Sequence, residues 1–130
     1  MTGGSVVVID ASALLAFLHR EPGAGAVEQA LDRAVISSVN WSEVARKSVE
    51  QGQPVGLLRT DLVDLGMHIE PFTTEDAELA ADIYLATRPF GLSLGDRACL
   101  ALAQRLGAPA LTADRRWKDI QLSIQMTLIR

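Results

Sequence analysis

Apolar residues along this chain switch between two spacings. Val6–Asp10 is a short β-branched run that ends in an acid and reads as a strand buried on both faces. Ala11–Arg20 follows with Leu14, Leu15 and Leu18 at helical spacing, until Glu21-Pro22-Gly23 breaks it. Ala24–Arg33 predicts a second helix, with Val27, Ala30 and Leu31 on one stripe, and Ala34–Ser37 a second strand. Asn40–Gln51 and Val55–Leu65 read as helices ended by Gly52 and Gly66, with Pro54 fitting the start of the latter. His68–Phe72 is a third strand, and Thr74–Arg88 is helical through Ala77, Ala80, Ile83, Tyr84 and Thr87. After the loop Pro89-Phe90-Gly91 comes the strongest helix, Ser93–Leu106, with Leu94, Ala98, Leu102 and Leu106 on one face. Gly107 ends it, and Pro109–Ala113 and Ile124–Ile129 read as the last two strands.

Strands that alternate with helices, two of them uninterrupted apolar runs, predict an α/β sandwich around a parallel sheet. A length of 130 residues fits one domain, 1–130, and 48% hydrophobic residues suffice for its core. Cys99 is the lone cysteine and cannot form an internal disulfide. Met1-Thr-Gly-Gly-Ser has no basic leader character, and the Val6–Ile9 run is too short for a signal peptide or a span, so a cytoplasmic protein is expected. The net charge of −4 runs against the basic footprint of a typical nucleic-acid binder. Acids gathered around a divalent cation would reconcile the two, because the ion inverts the local charge.

The positions of four acids supply that possibility. Asp10 ends the first strand, Glu43 lies in the first turn of the predicted helix after the second strand, Asp96 in the first turn of the strongest helix, and Asp114 just after Pro109–Ala113. Ligands of open parallel sheets bind beyond the carboxyl ends of the strands. Four carboxylates there must shift their pKa values or bind cations, and Mg²⁺ or Mn²⁺ prefers such oxygen ligands. Each acid also has a plainer reading. Ser93-Leu-Gly-Asp96 and Asn40-Trp-Ser-Glu43 both have the layout of a capping box, Asp10 could start a helix, and Asp114 could form a turn. The coincidence of all four, with hydroxyls Ser12 and Thr112 beside two of them, favours a site.

These segments resemble PIN-domain nucleases. Val-Val-Val-Ile-Asp10-Ala-Ser12 resembles the first-strand motif of that family, and Val39-Asn40-Trp-Ser-Glu43-Val its second acidic motif. Gly91-Leu-Ser93-Leu-Gly-Asp96-Arg97-Ala resembles the third motif as it occurs in bacterial VapC toxins, and Leu111-Thr112-Ala-Asp114-Arg-Arg-Trp117 the fourth. The ending Leu128-Ile-Arg130 is also VapC-like. The resemblance implies a PIN-like three-layer sandwich, with a mostly parallel sheet of four to five strands between helices. It also implies an endoribonuclease, a toxin of a type II VapBC pair, acting on RNA such as tRNA or rRNA. Asp10, Glu43, Asp96 and Asp114 would bind Mg²⁺ or Mn²⁺, with Asp10 and Asp96 the firmest ligands and Ser12 and Thr112 orienting them from behind. A VapB-type antitoxin would inhibit the enzyme, a homodimer and a toxin–antitoxin hetero-oligomer are expected, and DNA would be met only through the antitoxin.

Arg97, Arg115, Arg116 and Lys118 lie beside the third and fourth motifs, where they would meet RNA phosphate or simply face solvent. Trp117 and Trp41 read as packing residues before base-stacking ones, His19 and His68 lack zinc-ligand spacing, and Cys99 sits on an apolar stripe. Glu21 reads as a plain helix-end acid. Leu57, Leu58, Leu62, Leu65, Met67, Ile69 and Phe72 read mostly as core, with part of the stretch available to a partner. Two other functions compete. One is a PIN-like DNA-binding or regulatory module that needs a partner and has little nuclease activity. The other is a phosphatase or receiver domain with a phosphorylated Asp10; the phosphatase motif expects a second acid where this chain has Ser12, and the receiver motif expects adjacent acids near the first strand, where this chain has none before Asp10.

Overall fold

The structure, a computed structural model, describes residues 5–130. Five strands form one parallel sheet: β1 Val7–Ile9, β2 Ala34–Ser37, β3 His68–Glu70, β4 Ala110–Thr112 and β5 Met126–Leu128. Their spatial order is β3-β2-β1-β4-β5. Parallel neighbours need crossovers. Helices α1 (Ala11–Leu18) and α2 (Ala24–Ala30) carry the chain from β1 to β2. Helices α3 (Ser38–Glu50) and α4 (Val55–Asp64) carry it on to β3, and α5 (Thr74–Asp82), α6 (Tyr84–Thr87) and α7 (Leu94–Leu106) back across to β4. The chain thus builds outward from β1 on one side and then on the other. That makes the gap between β1 and β4 the topological switch point, where open α/β sheets place their ligands.

Side chains of the strands alternate between two cores. Val7, Ile9, Ala34 and Ile36 face a cluster with Leu14, Val27, Val44 and Leu62 of α1 to α4. Val8, Val35 and Ala110 face the other, with Ile83, Leu100, Leu102 and Trp117. The three-layer α/β sandwich expected from the sequence is the one observed.

Several predicted boundaries move. The stretch read as one helix over Ala24–Arg33 ends at Ala30, and Leu31–Arg33 tightens into a 3-10 turn that feeds β2. The stretch Thr74–Arg88 is broken at Ile83. The guanidinium of Arg97 donates to the carbonyl of Ala80 at 3.0 Å, the acceptor an unbroken helix would give to the N–H of Tyr84. Helix α3 starts at Ser38, with Ser37 as its cap accepting from Val39, so Asn40 is inside the helix and Glu43 lies in its second turn. Leu62 and Met67 are core, whereas Leu57 and Leu65 stay exposed. Among the described residues no helix is long and apolar enough to cross a membrane.

Candidate active site

The sequence places Asp10 directly after β1, and the buried strand carries the carboxylate inward with it. The side chain is 3% exposed. Its Oδ1 accepts from the Ala13 N–H and the Ser12 hydroxyl, both at 2.8 Å, and its Oδ2 accepts from the Thr112 hydroxyl at 2.6 Å. Asp10 is thereby both the N-cap of α1 and the anchor of the site. Thr112 ends β4, the neighbouring strand, and its hydroxyl also accepts from the Asp114 N–H at 3.0 Å. Ser12 in turn accepts from the Ala113 N–H at 2.9 Å. The two hydroxyls therefore tie the ends of β1 and β4 together at the switch point.

Burial pushes the Asp10 carboxyl up to about 6, against the hydrogen bonds from Thr112, Ala13 and Ser12 that favour its charge; the nearby charge of Asp96 adds to the rise. With both oxygens engaged, this carboxylate is a poor nucleophile for the phosphatase alternative.

Asp96 enters from α7. Ser93 and Asp96 form the capping box that their spacing predicted: Ser93 Oγ accepts from the Asp96 N–H, and Asp96 Oδ2 accepts from the Ser93 N–H at 2.9 Å. Capping and site membership coexist here, because the cap leaves the other carboxylate oxygen free. Glu43 is held by Asn40, whose amide donates to Glu43 Oε1 and to the Gly95 carbonyl, both at 2.9 Å. Asn40 is thus a bridge between α3 and α7 and a site residue that the sequence reading treated only as a helix start. Its Oδ1 is buried with no partner in the protein. Gly95 lets Glu43 approach: a Cβ there would lie 2.7 Å from the Glu43 carboxylate. A Gly95→Ala variant should therefore keep its fold, since alanine favours a helix by up to ~1 kcal/mol. It should push Glu43 aside and reshape the cleft without lowering the melting temperature. Thermal melting and a structure of the variant check this.

Asp114 caps a 3-10 turn over Arg115–Asp119. The guanidinium of Arg116 donates to Asp114 Oδ2 at 2.5 Å and to its Oδ1 at 3.0 Å, reaches the Gly91 carbonyl at 2.9 Å, and lies 3.5 Å from Asp96 Oδ2. That hydrogen-bonded guanidinium holds the Asp114 carboxyl below its ordinary range.

Asp10, Ser12, Asn40, Glu43, Asp96 and Asp114 line one cleft of about 210 Å³, together with Arg46 and Lys47. Burial drives the Cys99 thiol well up, and the charges of Asp10, Asp96 and Glu43 drive it further. Among the described residues, no three acids, histidines or cysteines already surround one point closely enough to grip an ion, and Arg116 holds part of the space between Asp96 and Asp114. The donor chemistry nonetheless suits a hard divalent cation: carboxylates, a buried unpartnered amide oxygen and no soft ligand.

Other candidates fall elsewhere. Arg97 is not at the cleft; it is committed to Ala80 and lies over the Tyr84 ring, 5.3 Å from its centre. Trp117 is 1% exposed and packs in the second core, so it cannot stack on a base. Arg115 and Lys118 are exposed beside Asp114, His68 pairs with Glu70 at 3.1 Å on the surface, and Glu21 meets Arg130 at 3.1 Å. Arg46 and Lys47 were missed; they follow Glu43 by three and four residues and so share its helix face, a spacing visible in the sequence.

The PIN domain family model matches residues 7–122. The chain belongs to the PIN-domain family. "VapC ribonuclease Mb2780c" of Mycobacterium bovis and "Ribonuclease VapC42" of Mycobacterium tuberculosis are each 30% identical to it over 115 residues, covering 81% of this chain and 88% of the relative. Among solved structures, the fold matches a toxin–antitoxin complex from Klebsiella pneumoniae at a TM-score of 0.72, with 22% identity, 88% of this chain and 92% of that one. It also matches DNA-bound VapBC from Salmonella typhimurium at a TM-score of 0.75, with 13% identity, 98% of this chain and 100% of that one. In this PIN domain the acidic cleft sits beyond the carboxyl ends of β1 and β4, at the switch point of the sheet.

Proposed function

We propose that the protein is the toxin of a type II toxin–antitoxin pair and a metal-dependent endoribonuclease. The observation that carries the reading is the convergence of Asp10, Glu43, Asp96 and Asp114 from four separate segments on one cleft. The ribonuclease names of its VapC relatives support the substrate class. The toxin–antitoxin complexes among its structural neighbours support a VapB-type antitoxin. Exposed Leu57, Val63 and Leu65 on and just after α4, and Tyr84, Leu85 and Leu94 on α6 and α7, offer apolar surface for that partner and for a second copy of the chain.

Asp10 and Asp96 would hold Mg²⁺ or Mn²⁺, with Glu43 and Asp114 completing the set directly or through water. The bound ion would supply positive charge to the phosphate oxygens and make a water acidic enough to attack phosphorus. Ser12 and Thr112 fix both oxygens of Asp10, so the ligand need not reorganise during the reaction. Asn40 fixes Glu43 in the same way. Hydrolysis adds water across one P–O bond: the attacking oxygen joins phosphorus, and the leaving oxygen departs with a proton. No side chain need form a bond to the substrate. Arg115 and Arg116, on the turn after Asp114, would meet the phosphate backbone once Arg116 gives up Asp114.

The test is incubation of the purified protein with RNA. Fragments should accumulate with Mg²⁺, stop with excess EDTA, and resume when Mg²⁺ is restored. Equal cleavage in EDTA, or none under any condition, contradicts the reading.

A further inference from the structure

A nuclease must hold the strand on at least one side of the bond it cuts, and the acidic cleft cannot do that alone. Lys47 lies one helical turn beyond Glu43 on α3. It lines the acidic cleft, and it also lines a neighbouring cavity of about 170 Å³ between α1, α3 and α4. Leu15 is the other residue common to both. The two spaces therefore adjoin, with Lys47 and Leu15 at the boundary between them. The lysine charge is available: among the described residues Lys47 takes part in no ion pair, whereas its neighbour Arg46 is paired with Glu50 and Arg116 with Asp114. Lys47 is half-buried, and a lysine in such a place can bury its stem while its ammonium stays accessible. The floor beyond it is apolar at Leu18, Val44 and Leu58, and its rim carries the polar edges of His19 and Gln51.

We infer that Lys47 binds the RNA phosphate next to the one that is cut, and that the cavity beyond it takes the adjoining nucleotide. Charge complementarity selects the occupant. Among the described residues, Lys47 is the uncommitted cation beside a cleft of four acids, where an anion bridging the two is attracted at one end and needs the divalent ion at the other. A flat base fits the apolar floor, and the rim offers the hydrogen bonds its edge requires. The inference rests on the nuclease reading.

The experiment measures binding of a labelled single-stranded RNA oligonucleotide to the protein with all four acids intact, in Ca²⁺ in place of Mg²⁺, an ion that takes oxygen ligands without the strict octahedral geometry of Mg²⁺, with a gel verifying that the oligonucleotide stays uncut. Lys47→Met keeps the apolar stem and removes the charge. It should weaken binding about fivefold to tenfold at low salt and reduce the slope of log K against log[salt] by ~0.7, the value for one phosphate contact on a single strand. Lys47→Arg should restore most of both. Arg33→Ala, which removes a charge just before β2 at the opposite edge of the sheet, should change neither. In the active protein, Lys47→Met should raise KM more than it lowers kcat. If the wild type cleaves RNA with Mg²⁺ but Lys47→Met binds it with unchanged affinity and salt slope, this inference fails and the nuclease reading stands. If RNA is neither bound nor cut by the wild type, both fail. A Lys47→Met protein that loses only its hold on a protein partner also overturns the inference.

Discussion

An Asp10→Asn variant loses RNA cleavage by more than about 100-fold, since even the groups that merely support a metal ligand are worth 10–100-fold, and it is at the same time more stable than the wild type by roughly 2 kcal/mol. The gain follows from burial. The Asp10 carboxyl, 3.8 in its ordinary state, rises to about 6 in the fold. Well below pH 3.8 it is neutral in both the folded and the unfolded chain, and nothing is lost. As pH rises, the unfolded chain releases this proton first, so stability falls and levels off above about 6, having dropped by ~3 kcal/mol. Asparagine does not ionise, and it gives back part of the gain because its amide cannot accept from Thr112 as the carboxylate does. Urea unfolding of both proteins in EDTA between pH 4 and 8 checks this. The two curves should separate as pH climbs through 4 to 6, with the variant above. A variant less stable at pH 7.5, or a constant difference, contradicts the account.

Arg105→Ala should cost about 3 kcal/mol or more, because removing one partner of a buried ion pair strands the other. Arg105 of α7 donates to both oxygens of Asp76, at 2.5 and 3.2 Å, and to Glu70 at the end of β3, at 3.3 Å. Asp76 is 0% exposed and also closes a capping box with Thr73, so it keeps some partners when the guanidinium goes. The pair joins α5 to α7, the helix that carries Asp96. Pairing Arg105→Met with Asp76→Asn should recover much of the loss in a denaturant titration. Equal loss in the single and double variants would show that packing, not the stranded charge, sets the cost.

The layered α/β fold was legible because its strands are short apolar runs and its helices carry clear stripes. The strand order was not, since nothing local states that the chain returns past β1 to lay down β4. The four acids were legible from their places at strand ends and helix starts. Their supports were legible only in part. Ser12 and Thr112 stand beside acids in sequence, whereas the bond from Asn40 to the Gly95 carbonyl joins residues far apart and leaves no local signature. Arg97 adjoins Asp96 in sequence but turns to α5, because neighbours on a helix point about 100° apart. The break at Ile83 was invisible for the same reason: it arises from a side chain on another helix. Asn40-Trp-Ser-Glu43 has the letters of a capping box, yet Ser37 caps the helix first.

The central claim is that four carboxylates act together as one cation site. A calorimetric titration of Mn²⁺ into the metal-free protein, repeated for Asp10→Asn, Glu43→Gln, Asp96→Asn and Asp114→Asn, tests it most directly. Saturable binding to the wild type, weakened in every variant and most in Asp10→Asn and Asp96→Asn, is the predicted result. Affinity unchanged by all four substitutions, or no binding to the wild type at millimolar Mn²⁺, would contradict it.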